Sequence, residues 1–200
     1  MIAGILSLLI RLFCGPTVRY LHPIDGTQPR IFFANHSSHL DFLVIWATLP
    51  AALRRLTRPV AARDYWSQGR LRRFLAGTLF GGLMIERNRP TTEDNPVEQM
   101  VSVLDQRQSL ILFPEGTRGT GETIAPFRTG LYHIHRSRPD VELVPVHLEN
   151  LNRILPKGEF LPVPLLSYVT FGAPLPNAEH ETRDEFLERG RQALLALEAS

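Results

Sequence analysis

At 200 residues with 44% hydrophobic content, the chain is long enough to bury a core and suits a single domain. It has no low-complexity segment, repeat or long linker, and its lone cysteine, Cys14, excludes an internal disulfide framework and fits a reducing compartment. The net charge of +2 hides an asymmetry: residues 1–90 hold twelve arginines and four acids, about +8, while residues 91–200 hold nine arginines, Lys157 and sixteen acids, about −6. The basic half is expected to face something anionic, whether phosphates, nucleic acid or a lipid surface.

The chain begins MIAGILSLLIRLFCG, an apolar run of about 13 residues that includes Arg11. A membrane-spanning helix needs about 20. No basic segment precedes the run and no small residue sits just before Cys14, so a signal or lipoprotein peptide fits poorly. Wound as a helix, Gly4, Ser7 and Arg11 share a narrow polar face, and Ile2, Ile5, Leu6, Leu9, Leu12 and Phe13 cover the rest. Such a helix suits a membrane interface or the protein's own core, and the basic region that follows favours the interface.

Beyond it, short apolar runs alternate with helical patterns. Strands are expected at Arg30–Ala34, Pro59–Ala62, Leu83–Arg87, Ser109–Phe113, Val141–His147 and Leu166–Phe171. Helices are expected at Leu40–Leu49, Tyr65–Phe80, Pro96–Gln106, Thr129–Ser137 and Glu181–Ala199. This alternation predicts an α/β fold, a single domain with a largely parallel central sheet flanked by helices. Residues 1–20 form the expected N-terminal helical segment, and 21–200 the main domain. In such sheets ligands gather where strand C-termini open into loops.

The first such place is ANHSSHLD, residues 34–41. Three readings are open. As a capping box, Ser38 is the helix N-cap and Asp41 reaches back to it. As a metal site, His36, His39 and Asp41 are ligands, but no further cluster with familiar ligand spacing follows. As an acid–base pair, His36 folds over the first helical turn onto Asp41, which holds one tautomer and leaves the other ring nitrogen to take a proton. General-base help of this kind contributes roughly 10² to 10⁴ in rate. No G-x-S-x-G elbow is present and Cys14 sits in the apolar N-terminal run, so a covalent nucleophile has no candidate. The simplest chemistry for such a base is activation of a substrate hydroxyl.

Residues 54–73, RRLTRPVAARDYWSQGRLRR, gather Arg54, Arg55, Arg58, Arg63, Arg70, Arg72 and Arg73 around Tyr65 and Trp66. Anionic lipid and nucleic acid would both select that composition. GGLMIERNR, residues 81–89, reads as a strand with Arg87 at its end. LILFPEGTRG, residues 110–119, reads as a buried strand that Pro114 stops and Gly116 turns, with Glu115 and Arg118 projecting at its C-terminal edge. APFRTG, residues 125–130, puts Arg128 at a helix start, where main-chain N–H groups add to its charge. Three arginines near the predicted sheet edge, with His36 and Asp41, suggest an anionic substrate held beside a base.

Together these motifs resemble the glycerophospholipid acyltransferase family, most closely its bacterial 1-acyl-glycerol-3-phosphate acyltransferases, over roughly residues 24–172. NHSSHLD is similar to the family's first block, which implies His36 as base and Asp41 as its partner. GGLMIER is similar to the second and implies that Arg87 contacts the acceptor phosphate. FPEGTR is similar to the third and implies phosphate and glycerol contacts from Glu115, Gly116, Thr117 and Arg118. LVPVHL is similar to the fourth, where Val144, Pro145 and Val146 would line the site. Glu86, Gly119 and Arg128 stand where the family often has Asp, Ser and Lys.

The expectation is an acyltransferase that moves a fatty acyl group from acyl-CoA or acyl-ACP to a lysophospholipid hydroxyl, with Arg128 as a further phosphate contact and no metal or bound cofactor. Its partners would be the lysophospholipid, the thioester carrier and an anionic membrane surface, and its place the cytoplasmic face of the inner membrane, peripheral or monotopic. A thioesterase or lipid hydrolase using the same pair on water is the enzymatic alternative, and a non-catalytic lipid-binding protein is the alternative from another class. Nucleic-acid binding ranks last because it gives His36 and Asp41 no role.

Overall fold

The computed structural model describes residues 2–63, 80–86, 94–154, 166–178 and 180–198. Among these residues seven strands form one sheet in the spatial order β1 (Pro16–Tyr20), β7 (Ser167–Phe171), β6 (Glu142–Glu149), β2 (Arg30–Ala34), β5 (Ser109–Leu112), β3 (Thr57–Ala62) and β4 (Leu83–Ile85). Every neighbouring pair is parallel except β6 and β7, so β1 and β7 run against the other five. The largely parallel α/β sheet expected from the alternating pattern forms, with a reversed edge.

The central strands are apolar on both faces because both faces are covered. Every residue of β2 and β5 is buried. With the two-residue period of a strand, Phe32, Ile111, Val144 and Val146 point to one side. There they join Ile10 of α1 (Ile2–Cys14), Val44 and Ile45 of α2 (Asp41–Thr48) and Leu53 of α3 (Ala51–Arg55). Ile31, Phe33, Leu110 and Leu143 point to the other side. They meet Met100 and Leu104 of α4 (Pro96–Asp105), Leu131 and Ile134 of α5 (Gly130–Ser137) and Phe186 and Leu194 of α7 (Arg183–Glu198). A one-turn helix, α6 (Leu151–Ile154), follows β6 directly.

Local chemistry fixes the helix starts. Asn95 caps α4 by accepting from Val97 N at 3.0 Å, with Pro96 at the first helical position where its missing N–H costs nothing. Thr182 and Glu185 form a capping box ahead of α7, each accepting from the other's main-chain N–H.

The N-terminal segment differs from its expected extent. α1 stops at Cys14, where Gly15 takes φ +48° and donates to Arg11 O at 3.0 Å. Residues 16–20 are not helical but form edge strand β1, in register with β7 from Pro16↔Ser167 to Tyr20↔Phe171. The expected helix at residues 65–80 lies almost wholly outside the described residues.

α1 also faces the opposite way from an ordinary amphipathic surface helix. Its polar stripe is turned inward, onto the C-terminus of α2. Ser7 Oγ and Arg11 Nε both donate to Ala47 O at 2.9 Å, and Arg11 Nη2 donates to Thr48 O at 3.1 Å. Arg54 Nη1 donates to Ser7 Oγ at 2.5 Å and to Ala47 O at 3.2 Å. Two guanidinium groups therefore serve carbonyls that have no partner within α2, at the negative end of its dipole. Ile5, Leu8, Leu9 and Leu12 are left pointing outward, Leu12 with 73% of its surface exposed. Among the described residues no helix is long and apolar enough to cross a membrane.

Candidate active site

β2 delivers the first site residues at its C-terminal end. Beyond Ala34, Asn35 leaves the strand while its side chain continues the ladder: Nδ2 donates to Leu148 O and Oδ1 accepts from Leu148 N, both at 2.9 Å. That amide does the work of a paired peptide and fixes where the chain turns off the sheet. His36 stands at that turn.

The loop from His36 to Asp41 wraps around one carboxylate oxygen. Asp41 is fully buried, and its Oδ2 accepts from Ser37 N at 2.7 Å, from Ser38 N at 2.8 Å and from His36 Nδ1 at 2.8 Å. Oδ1 has no partner among the described residues. The capping-box expectation is half met. Asp41 reaches back to Ser38 N, but the residue at the N-cap is Leu40, without a side-chain cap, because α2 begins only at Asp41. One carboxylate thus shapes the loop and engages the imidazole. Facing an acceptor, Nδ1 carries the ring proton, which leaves the Nε2 lone pair free to act as a base.

Phe113 covers one face of the imidazole, with ring centroids 4.2 Å apart and planes 20° from parallel. Glu115 steadies the main chain. Its Oε1 accepts from His36 N at 2.8 Å and its Oε2 from Ala125 N at 2.9 Å, and the residue is only 4% exposed. Burial pushes the Glu115 carboxyl above its usual range, opposed by those two N–H groups. The resemblance implied a substrate contact for Glu115, whereas both its oxygens are held by the protein's own backbone. Gly119 N closes the bracket by donating to His36 O at 2.8 Å.

The turn after β5 carries the remaining groups. Gly116 has φ +74°, and a Cβ there would lie 2.4 Å from Arg128 Nε. Arg128 is exposed, and its side chain crosses the bare glycine, two residues ahead of α5. Its main-chain N donates to Pro114 O at 2.8 Å. Thr117 and Arg118 line a cavity of about 230 Å³ together with His36, His39 and Gly116. The rest of that cavity is apolar, with Phe42, Val60, Phe80, Ile85 and Leu112 among its walls. A space lined both by basic and hydroxylic groups and by apolar side chains suits a molecule that has an anionic head and a hydrocarbon tail.

Of the residues singled out in sequence, His36 and Asp41 are in direct contact, and Gly116, Thr117 and Arg118 share the cavity with His36. Arg87 lies outside the described residues, and β4 ends at Ile85 rather than reaching it. Val144 and Val146 do not line the cavity. They are core residues of β6 beneath α2. Among the described residues no three His, Cys, Asp or Glu side chains form a group able to hold a metal ion. Sequence reasoning gave no role to Phe113 or Asn35. Phe113 is the last apolar residue of a strand-like run and Asn35 a polar residue at a strand end, and neither pattern signals what it touches.

The acyltransferase family model matches residues 16–149. The chain is 29% identical over 145 residues to 1-acyl-sn-glycerol-3-phosphate acyltransferase alpha of Mus musculus, covering 71% of this chain and 48% of that protein. It is 29% identical over 137 residues to the 1-acyl-sn-glycerol-3-phosphate acyltransferase of Escherichia coli K12 (62% and 51%), and 30% identical over 151 residues to that of Limnanthes douglasii (70% and 49%). The chain spans about half the length of these curated relatives. Among solved structures, the 1-acyl-sn-glycerophosphate (LPA) acyltransferase PlsC of Thermotoga maritima shares the fold, with a TM-score of 0.73 and 17% identity over 99% of this chain and 79% of that one.

Proposed function

This chain belongs to the acyltransferase family, and from that premise we propose that it moves a fatty acyl group from a thioester to the free hydroxyl of a lysophospholipid. The acceptor is 1-acyl-glycerol-3-phosphate and the product phosphatidic acid. The observation that carries this reading is the His36–Asp41 contact at 2.8 Å beside a cavity that His36, Thr117 and Arg118 line together.

His36 Nε2 takes the proton of the acceptor hydroxyl as its oxygen attacks the thioester carbonyl carbon. The tetrahedral intermediate then collapses, the carbon–sulfur bond breaks, and the thiolate leaves with the proton from the imidazolium. Asp41 stabilises the imidazolium between these two events. Arg118 holds the acceptor phosphate within the cavity, with Arg128 and Arg87 as further cations. Holding the hydroxyl in place gives a single weak base enough rate. The apolar walls take the hydrocarbon tail. The donor is acyl-CoA or acyl-ACP, whose shared thioester is all this chemistry requires, and no metal takes part. The outward apolar face of α1 rests in an anionic bilayer at the cytoplasmic surface, which is also where the acceptor resides.

The test is thiol release by the purified protein from palmitoyl-CoA and from palmitoyl-ACP, with and without 1-acyl-glycerol-3-phosphate. Release that requires the acceptor and yields phosphatidic acid supports the reading. Equal release without any acceptor would make the protein a hydrolase instead.

A further inference from the structure

We propose that Phe113 is a positioning residue for His36, with its ring face favouring the imidazolium that forms as the acceptor hydroxyl loses its proton. The inference rests on the reading of His36 as the base. One side-chain hydrogen bond, Nδ1 to Asp41 Oδ2 at 2.8 Å, anchors the imidazole edge. A single edge contact fixes the tautomer but leaves the ring free to rock about the line joining those atoms. The Phe113 ring, 4.2 Å away and 20° from parallel, blocks that motion on one side.

Phe113 is itself well held. β2 and β5 are adjacent and parallel, in register at Phe33↔Leu112, so the residues just beyond their C-termini rise side by side. Phe113 O accepts from Gly116 N at 3.0 Å, and Pro114 O accepts from Arg128 N at 2.8 Å, which pins the turn on both sides of the ring. The phenyl group packs against the core cluster that contains Val44 and Ile45. It is therefore a rigid plate presented to a partly enclosed imidazole.

An aromatic face is electron-rich and attracts a cation more than a neutral ring. His36 is neutral before proton transfer and cationic after it. The contact thus strengthens as the reaction proceeds, which is the condition for lowering a barrier rather than only tightening binding. Phe113 also lines the cavity beside Thr117 and Arg118, so the test has to separate the charge of the ring face from the bulk of the ring.

Two sets of variants test this, with kcat and KM measured for palmitoyl-CoA and 1-acyl-glycerol-3-phosphate. Phe113→Leu is expected to lower kcat roughly five- to thirty-fold, and Phe113→Trp or Phe113→Tyr to restore most of the loss. Incorporation of mono-, di-, tri- and pentafluorophenylalanine at position 113 withdraws charge from the ring face while keeping a ring in place. It is expected to lower kcat step by step with the melting temperature nearly constant. A flat kcat across the fluorinated series would overturn the proposal, even if Phe113→Leu were slow or failed to fold, because it would mean the ring only fills space. Native turnover in Phe113→Leu would overturn it too. His36→Ala is run alongside: if that variant keeps its turnover the base assignment itself is at fault, whereas an inactive His36→Ala with a flat fluorinated series removes only the role of Phe113.

Discussion

Replacing Asp41 with asparagine separates charge from geometry at this site. Two main-chain donors, Ser37 N at 2.7 Å and Ser38 N at 2.8 Å, aim at the oxygen that also engages His36. In Asp41→Asn the amide oxygen must take that place, because an NH₂ group there would meet two N–H groups. The ring then keeps its tautomer and orientation, and the amide NH₂ falls at the Oδ1 position, which has no partner among the described residues. What disappears is the attraction between carboxylate and imidazolium. Two unit charges about 4 Å apart at an effective dielectric constant of about 20 attract by about 4 kcal/mol, equivalent to a loss of about 10³ in kcat. KM for the acceptor is expected to hold, since Asp41 does not line the cavity. Asp41→Ala should be equally slow but also less stable than Asp41→Asn, because it strands both main-chain donors at about 1–3 kcal/mol each. The assay is acceptor-dependent thiol release, with thermal melts of both variants. An Asp41→Asn variant within ten-fold of native kcat, or one altered only in KM, would refute the reasoning.

Three further outcomes are expected. Ser7→Ala removes a buried hydroxyl that donates to Ala47 O and accepts from Arg54, and should cost about 1–2 kcal/mol in urea unfolding; an unchanged midpoint would mean that α1 does not dock through its polar stripe. Burial holds the His147 imidazole below its ordinary pKa of 6.5, against the opposing pull of Glu149 and Glu198. Its contribution to stability is therefore present above about pH 6.5 and lost as pH falls through the depressed folded value, so the melting temperature of His147→Gln should fall less between pH 7 and pH 5 than that of the native protein; parallel curves would contradict this. Burial pushes the Cys14 thiol up to about 11, so iodoacetamide at pH 8 should leave it unlabelled until the chain is unfolded, and rapid stoichiometric labelling of the native protein would show that the end of α1 is open.

What could be seen in the sequence follows from how local each signal is. β2 and β5 announce themselves because a doubly covered strand must be apolar at every position, and RIFFA and SLIL are nearly so. The turn at Gly116 is likewise written in FPEGTR, where a proline stops the strand and a glycine supplies the positive φ. β1 was hidden because PTVRY is a half-exposed edge strand without strict alternation, running straight on from an apolar helix. The reversal at β7 was hidden because strand direction leaves no trace in a local pattern. For α1 the stripe of Gly4, Ser7 and Arg11 was plain, but its inward orientation depends on the α2 carbonyls about 40 residues away. At the site, the His36–Asp41 pairing was legible because the five-residue separation can close a loop. The bridging role of Glu115 was not, because its partners are main-chain N–H groups, which every residue but proline carries alike.

The account turns on His36 as the group that takes the acceptor's proton. The measurement that meets it head-on is phosphatidic acid formation by His36→Ala, followed by mass spectrometry with 1-acyl-glycerol-3-phosphate and palmitoyl-CoA, on protein whose melting temperature matches the native one. The account predicts that product formation falls at least 10²-fold while the variant still binds the acceptor. Product formed within a few-fold of the native rate would contradict it.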